Sequence, residues 1–117
     1  MYSDAVIRHA LDASRAGALD PRGAVGRSGD VACGDTVEIQ LRIEDGTVTH
    51  ARHRSLACPH GTAAAALLCE LVEGRDLLDA ARIGQSDLDA ALKPCDGNRE
   101  CVAVAGDALH AAIAAFD

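Results

Sequence analysis

Residues 36–43, Thr36-Val37-Glu38-Ile39-Gln40-Leu41-Arg42-Ile43, alternate polar and apolar side chains without a break. Successive side chains of an extended chain point to opposite faces, so Val37, Ile39, Leu41 and Ile43 share one side and Thr36, Glu38, Gln40 and Arg42 the other. The stretch reads as a half-buried strand. Asp45-Gly46 follows and supplies what a tight hairpin turn needs, since glycine reaches positive φ without a Cβ clash. Residues 47–57 (TVTHARHRSLA) are then expected to return antiparallel. Their alternation is poorer, which suits an edge strand or a face partly covered by a helix.

Upstream, residues 17–30 are glycine-rich with one proline, the composition of a flexible loop or an irregular edge strand. Residues 2–16 carry Val6, Ile7 and Leu11 at helical spacing behind Ser3, a capping residue, and predict a short amphipathic helix. Downstream, Thr62 to Glu73 is rich in alanine and leucine, with a stripe of Leu67, Leu68, Leu71 and Val72 and Gly74 placed as a C-terminal cap. Residues 76–92 read as two short helices broken at Gly84, the second capped by Ser86, and residues 93–100 as a loop. Residues 101–116 put Val102, Ala105, Leu109, Ile113 and Phe116 on one face of a long last helix. The expected architecture is α+β: a small antiparallel sheet of about three strands, helices packed on one side, and a long C-terminal helix.

The chain has 117 residues and a mass of 12.0 kDa, which fits a single domain over 1–117. Its formal charge of −7 argues against nucleic acid, whose binders need a basic footprint to neutralise phosphates. Tyr2 and Phe116 are the only aromatic residues, which removes the usual stacking platforms for bases or flavins. No stretch approaches a membrane span, and the first residues lack the basic-then-apolar order of a signal peptide. A cytoplasmic protein with no membrane partner is expected.

Cysteine is the informative residue. There are five, Cys33, Cys58, Cys69, Cys95 and Cys101, an odd number that favours free thiols or metal ligands over a disulfide framework. Their separations are 25, 11, 26 and 6 positions, so no Cys-x-x-Cys pair suggests a zinc ribbon or a redox dithiol. Cys33 and Asp35 flank Gly34 just before the patterned strand, and an i, i+2 pair in extended chain faces one point. Cys58 sits just ahead of one predicted helix and Cys101 at the start of another, where orphan N–H groups and the helix dipole favour thiolate. Cys69, within a helix beside Leu68, reads as packing, and Cys95 as an exposed, oxidation-prone thiol or, alternatively, an auxiliary sulfur acceptor. His50, Arg52, His53 and Arg54 read as a solvated strand face, with partner docking as the alternative, and His9 and His110 as residues on polar helix faces.

Four segments in this order, YSDAVIRH near the start, ACGD before the alternating strand, AC ahead of an Ala-rich helix ending VEGR, and ECVAVAGDALHAAI at the end, resemble the NifU/IscU-type iron-sulfur cluster scaffold family. The resemblance runs over essentially the whole chain and implies a SufE/NifU-like fold. It implies that Cys33, Cys58 and Cys101, assisted by Asp35, hold a nascent, transient iron-sulfur cluster of the 2Fe-2S type, or a zinc ion. Three soft thiolates with one harder, replaceable carboxylate suit a site that must also let its cluster go. The resemblance further implies a cysteine desulfurase as sulfur donor, acceptor apoproteins as recipients, a monomer or weak homodimer, and no turnover of its own. Three departures stand out. Glu100 replaces the histidine that many members carry before the third cysteine, and an additional ligand is expected from Glu100 or His60. Pro59-His60 replaces small residues after Cys58. Ala91-Leu92-Lys93-Pro94-Cys95 stands where the family has Leu-Pro-Pro-Val-Lys, so the resemblance carries no dedicated chaperone over. The alternative is a zinc-bound, SufU-like sulfur acceptor, a sulfurtransferase working with the desulfurase, although the 43 positions from Cys58 to Cys101 leave little room for that branch's extra segment.

Overall fold

The computed structural model describes residues 3–19, 23–30, 35–56, 59–92 and 99–116, with the side chains of Asp30, Asp35, Arg99, Glu100 and Cys101 outside that description. The order of elements is α1 (Asp4–Leu11), β1 (Ala24–Asp30), β2 (Asp35–Glu44), β3 (Thr47–Leu56), α2 (Pro59–Val72), α3 (Leu77–Ala81), α4 (Gln85–Leu92) and α5 (Arg99–Ala115). The strands form an antiparallel sheet in the order β1-β2-β3. The helices cover one face of it, as the sequence led one to expect.

The alternating stretch became the central strand. Val37, Ile39 and Leu41 are fully buried on the helix side. Asp45 and Gly46 form the hairpin turn with φ of 52° and 75°, the left-handed pair that matches the twist of the flanking strands. The weak alternation of β3 has a physical origin in a bulge. Arg42 pairs with His50 but Ile43 with Val48, so Thr49 is an extra residue and the phase slips by one. Val48, Ala51 and His53 therefore all face inward, and His53 is only 4% exposed, not part of a solvated face.

The glycine-rich stretch contains β1, an edge strand whose Gly26 lies directly under α5. A Cβ there would run into Ala108 O and Ala112 N of the helix backbone. Glycine thus permits a strand-to-helix approach that no other residue allows. The opposite edge, β3, is covered three times over. His53 N–H donates to Arg15 O and Gly17 N–H to His53 O, the Ala51 N–H donates to the Glu73 carboxylate, and Val48 bonds to Gly74 and Arg75. Leu19 then lies over the outer face, where its N–H donates to Gln40 Oε1 at 2.9 Å and leaves that glutamine buried.

Ser3 caps α1 as expected, accepting from Val6 N–H, and its hydroxyl donates to Leu92 O at 2.6 Å, tying α1 to the end of α4. Helix α1 is shorter than the predicted 2–16, and of its apolar stripe only Val6 is buried, while Ile7 and Leu11 are exposed. His9 is buried instead, with Nδ1 3.7 Å from the Glu70 carboxylate. Gly74, at φ 92°, ends α2 as predicted. Ser86 is not the cap of α4: the helix starts one residue earlier, and Asp87 reaches back to accept from Gly84 N–H. Phe116 is 40% exposed, so the core stripe of α5 ends near Ile113. Among the described residues, no helix is long and apolar enough to cross a membrane.

Candidate functional site

Asp35 opens β2 with its backbone paired to Asp30, and Thr36 pairs with Leu56, so the end of β1, the start of β2 and the end of β3 lie together. Helix α2 starts at Pro59 beside that end and runs to the hairpin side, where Gly74 N–H bonds Val48 O at 2.7 Å. Helix α3 begins at the hairpin, with Leu77 N–H on Gly46 O. His110 Nε2 sits 3.2 Å from Ile83 O in the segment that leaves α3, which places the later turns of α5 on the hairpin side. The first turn of α5 therefore extends toward the Asp35–Leu56 end. Two N-termini of long helices converge there, each with orphan N–H groups and the positive end of a dipole.

Cys33 falls in the 31–34 interval between the paired Asp30 and Asp35, and Cys58 in the 57–58 interval between Leu56 and Pro59; both lie outside the described residues, as does Cys95. Asp35 is the first residue of β2, and Glu100 and Cys101 belong to the first turn of α5. No group of three or more histidine, cysteine or acidic side chains able to hold a metal occurs among the described residues. His60 is described and is 2% exposed in the first turn of α2; burial lowers its pKa and keeps the imidazole neutral. Cys69 is fully buried, and burial pushes its thiol up to about 12, so it is an inert packing group.

The same end carries a cleft of about 830 Å³, lined by Arg27, Thr36, Glu38, Arg54, Ser55 and Leu56 among others. Register places Arg27, Glu38 and Arg54 in one row across the three strands. Arg27 Nε donates to Glu38 Oε1 at 2.6 Å, and Arg54 Nη1 lies 4.0 Å from Glu38 Oε2. Burial acts to raise the Glu38 pKa, but hydrogen bonds from Gln40 and Arg27 and the nearby guanidinium charges outweigh it and hold the carboxyl below its usual range. Sequence inspection named Arg54 in a solvated strand face but not its pairing with Glu38 and Arg27. The strand register was its signal, since Arg27 lies in a stretch with no alternation to set its partner.

The family model for the NifU-like N terminal domain matches residues 1–117. The iron-sulfur cluster assembly scaffold protein IscU of Haemophilus influenzae is 31% identical over 119 aligned positions, covering 98% of this chain and 94% of that protein. A "Bifunctional protein NifU/MnmA" of Rubrobacter xylanophilus is 38% identical over 114 positions, and this chain spans only 23% of its length. Among solved structures, a putative SUF-system scaffold protein from Fervidobacterium islandicum superimposes with a TM-score of 0.83 at 14% identity, covering 96% of each chain. The N-terminal part of a NifU-like protein from Brucella abortus gives 0.76 at 24% identity, over 96% of this chain and 91% of that one. Sheet order, helix layer and a sequence match over the full length agree, and the chain belongs to the NifU-like N-terminal domain family.

Proposed function

We propose that this protein is a scaffold on which nascent iron-sulfur clusters are assembled and from which they pass to apoproteins, the cluster being cargo and not a resident cofactor. Cys33, Cys58 and Cys101 supply three thiolates and Asp35 a replaceable carboxylate. The observation that carries this reading is the convergence, at one end of the sheet, of Asp35, of Leu56 and Pro59 on either side of Cys58, and of the first turn of α5. The family membership and the IscU relative point the same way. Helix N-termini favour thiolate over thiol, and α2 has no acidic residue in its first turn to oppose that effect at Cys58. For an additional ligand Glu100 is preferred over His60, because the His60 imidazole is buried within the helix layer. Sulfur comes from a cysteine desulfurase, and the protein binds and transfers, without turnover, as a monomer or weak homodimer in the cytoplasm.

Anaerobic reconstitution with iron and sulfide tests the proposal, for the wild type beside Cys33→Ala, Cys58→Ala and Cys101→Ala. Cluster absorbance with matching iron and acid-labile sulfide, lost in each variant, is the expected result; equal loading of all four proteins sinks it. Glu100, in place of a ligating histidine, favours the zinc-bound sulfur acceptor as a second reading, because zinc takes carboxylate oxygen readily. Stoichiometric zinc without sulfide, together with a persulfide on one of the three cysteines after incubation with desulfurase and cysteine, would establish that reading instead.

A further inference from the structure

The sheet has one face covered by helices and one left open except where Leu19 lies over Gln40, and the open part does not follow the charge of the chain. The protein as a whole carries −7. At the end of the open face nearest Thr36 and Leu56, however, two guanidiniums flank a single carboxylate. The side chains of Arg27 and Arg54 are 67% and 64% exposed, while the Glu38 carboxylate between them is 11% exposed. Glu38 engages one N–H of Arg27 at hydrogen-bond distance and holds Arg54 only by charge at 4.0 Å. A guanidinium has five N–H donors, so most of the donor fork of each arginine is left to other acceptors. Leu56, beside this row, is 80% exposed, the largest exposure of any bulky apolar side chain in the described residues. The adjoining cleft of about 830 Å³ has the size of a ligand or peptide subsite.

We propose that this end of the open sheet face is a docking site for an acidic, extended segment of a partner protein, whose carboxylates pair with Arg27 and Arg54 while an apolar residue packs on Leu56. Charge selects the occupant. An acidic segment is repelled by the remainder of a −7 chain and is steered to Arg27 and Arg54, whose side chains are 67% and 64% exposed, whereas Arg15 and Arg52 on Glu73 are 28% and 27% exposed. A basic segment would meet two exposed guanidiniums and a carboxylate already taken. The location also has a use: a partner held here lies next to the chain intervals that contain Cys33 and Cys58. Only that use rests on the scaffold reading; the docking itself does not.

The test is an NMR titration of the full ¹⁵N-labelled chain, without metal, using the peptide acetyl-Asp-Glu-Leu-Glu-Asp-amide and its counterpart with lysine at the four acidic positions. The acidic peptide is expected to give saturable shifts centred on Thr36, Glu38, Arg54 and Leu56 that fade as salt rises. The lysine peptide should give none. Binding should weaken about tenfold or more in Arg27→Gln/Arg54→Gln, and should tighten several-fold in Glu38→Gln, which removes the competing carboxylate but keeps a hydrogen-bonding amide. A gain of affinity cannot arise from misfolding, so Glu38→Gln keeps the test decisive if the double variant folds poorly. Shifts centred elsewhere, an equal response to both peptides, or shifts at these residues that grow with protein concentration alone, the mark of a second copy on this face, would each overturn the proposal. Because no metal or cysteine enters the assay, failure of the scaffold reading would leave its outcome unchanged.

Discussion

Replacing Gly26 with alanine adds a single methyl group where the backbones of β1 and α5 lie against each other. The new Cβ would overlap Ala108 O, Ala112 N and the Ala111 carbonyl carbon, which are all backbone atoms of α5 and cannot turn aside as a flexible side chain would. Relief requires the helix and β1 to separate by about 1 Å, because interiors are packed to the density of organic crystals and have no slack to absorb the atom. That separation also loosens the contacts of Val104, Ala105, Ala108 and Ala112, all 4% exposed or less. Overpacking typically costs about 1–3 kcal/mol, and clash on a rigid backbone belongs at the upper end, so the expected loss is about 3 kcal/mol. In a domain of this size that lowers Tm by roughly 10 °C and, with a urea slope of about 1–3 kcal/mol/M, moves the midpoint by about 1–3 M. Gly106→Ala provides the internal control. It lies in the same helix, a Cβ there meets nothing within 4 Å, and removing a helical glycine should stabilise by about 0.5–1 kcal/mol. Opposite signs from two glycine-to-alanine changes that both bear on one helix are therefore expected in urea unfolding. If Gly26→Ala costs less than about 0.5 kcal/mol, the claim that α5 rests on a bare strand is wrong. Since α5 carries Cys101, Gly26→Ala should also lower the yield of reconstituted cluster with every ligand residue intact.

Glu73→Gln keeps an oxygen for the Ala51 N–H but removes the charge that pairs with Arg15 and Arg52 at 3.2 and 3.1 Å, and should cost about 1–2 kcal/mol in denaturant unfolding; a neutral result would mean that the covered edge of β3 does not depend on the ion pairs. Ser3→Ala loses both the α1 cap and the bond to Leu92 O, and should destabilise by about 1–2 kcal/mol, with hydrogen exchange accelerating first in α1. Native-state alkylation followed by mass spectrometry should leave Cys69 unlabelled at neutral pH until the protein unfolds, given its burial and raised thiol pKa, and Cys69→Ala should load cluster like the wild type. Burial lowers the His53 pKa against the upward pull of Asp12. The unfolded chain, with histidine near 6.5, then takes up protons that the folded chain refuses, so stability is lost as pH falls below about 6.5. His53→Phe should flatten the dependence of Tm on pH between about 7 and 5, leaving the part due to buried His60; an unchanged slope would show that His53 titrates as an exposed residue does.

What sequence inspection recovered and what it missed both follow from how far a local pattern reports on its surroundings. β2 is central, one face lies against helices and the other is solvated or capped by polar contacts, so its alternation survives intact and the Asp45-Gly46 turn fixes its partner. β1 is an edge strand that α5 needs bare, so the features marking it as a strand, β-branched residues in alternation, are the ones the packing forbids; its glycines resemble a loop for that reason. His53 was misplaced because one inserted residue at Thr49 reverses inside and outside for the rest of β3, and nothing in TVTHARHRSLA announces the insertion. His9 and Gln40 are buried by elements distant in sequence, the Glu70 region of α2 and Leu19, which no periodicity within their own segments can reveal. The same logic governs the candidate site. A zinc ribbon puts its ligands in close pairs on one turn, so spacing exposes it; here Cys33, Cys58 and Cys101 sit 25 and 43 positions apart, at the ends of different elements. Their meaning depends on a topology in which β3 runs toward Leu56, α2 returns to the hairpin, and α5 starts from the direction of the Asp35–Leu56 end. A proposed site drawn from three such distant segments has no local signature, so it is legible only through resemblance over the whole chain. For the same reason a change such as Gly26→Ala, at none of the proposed ligands, is expected to disturb it.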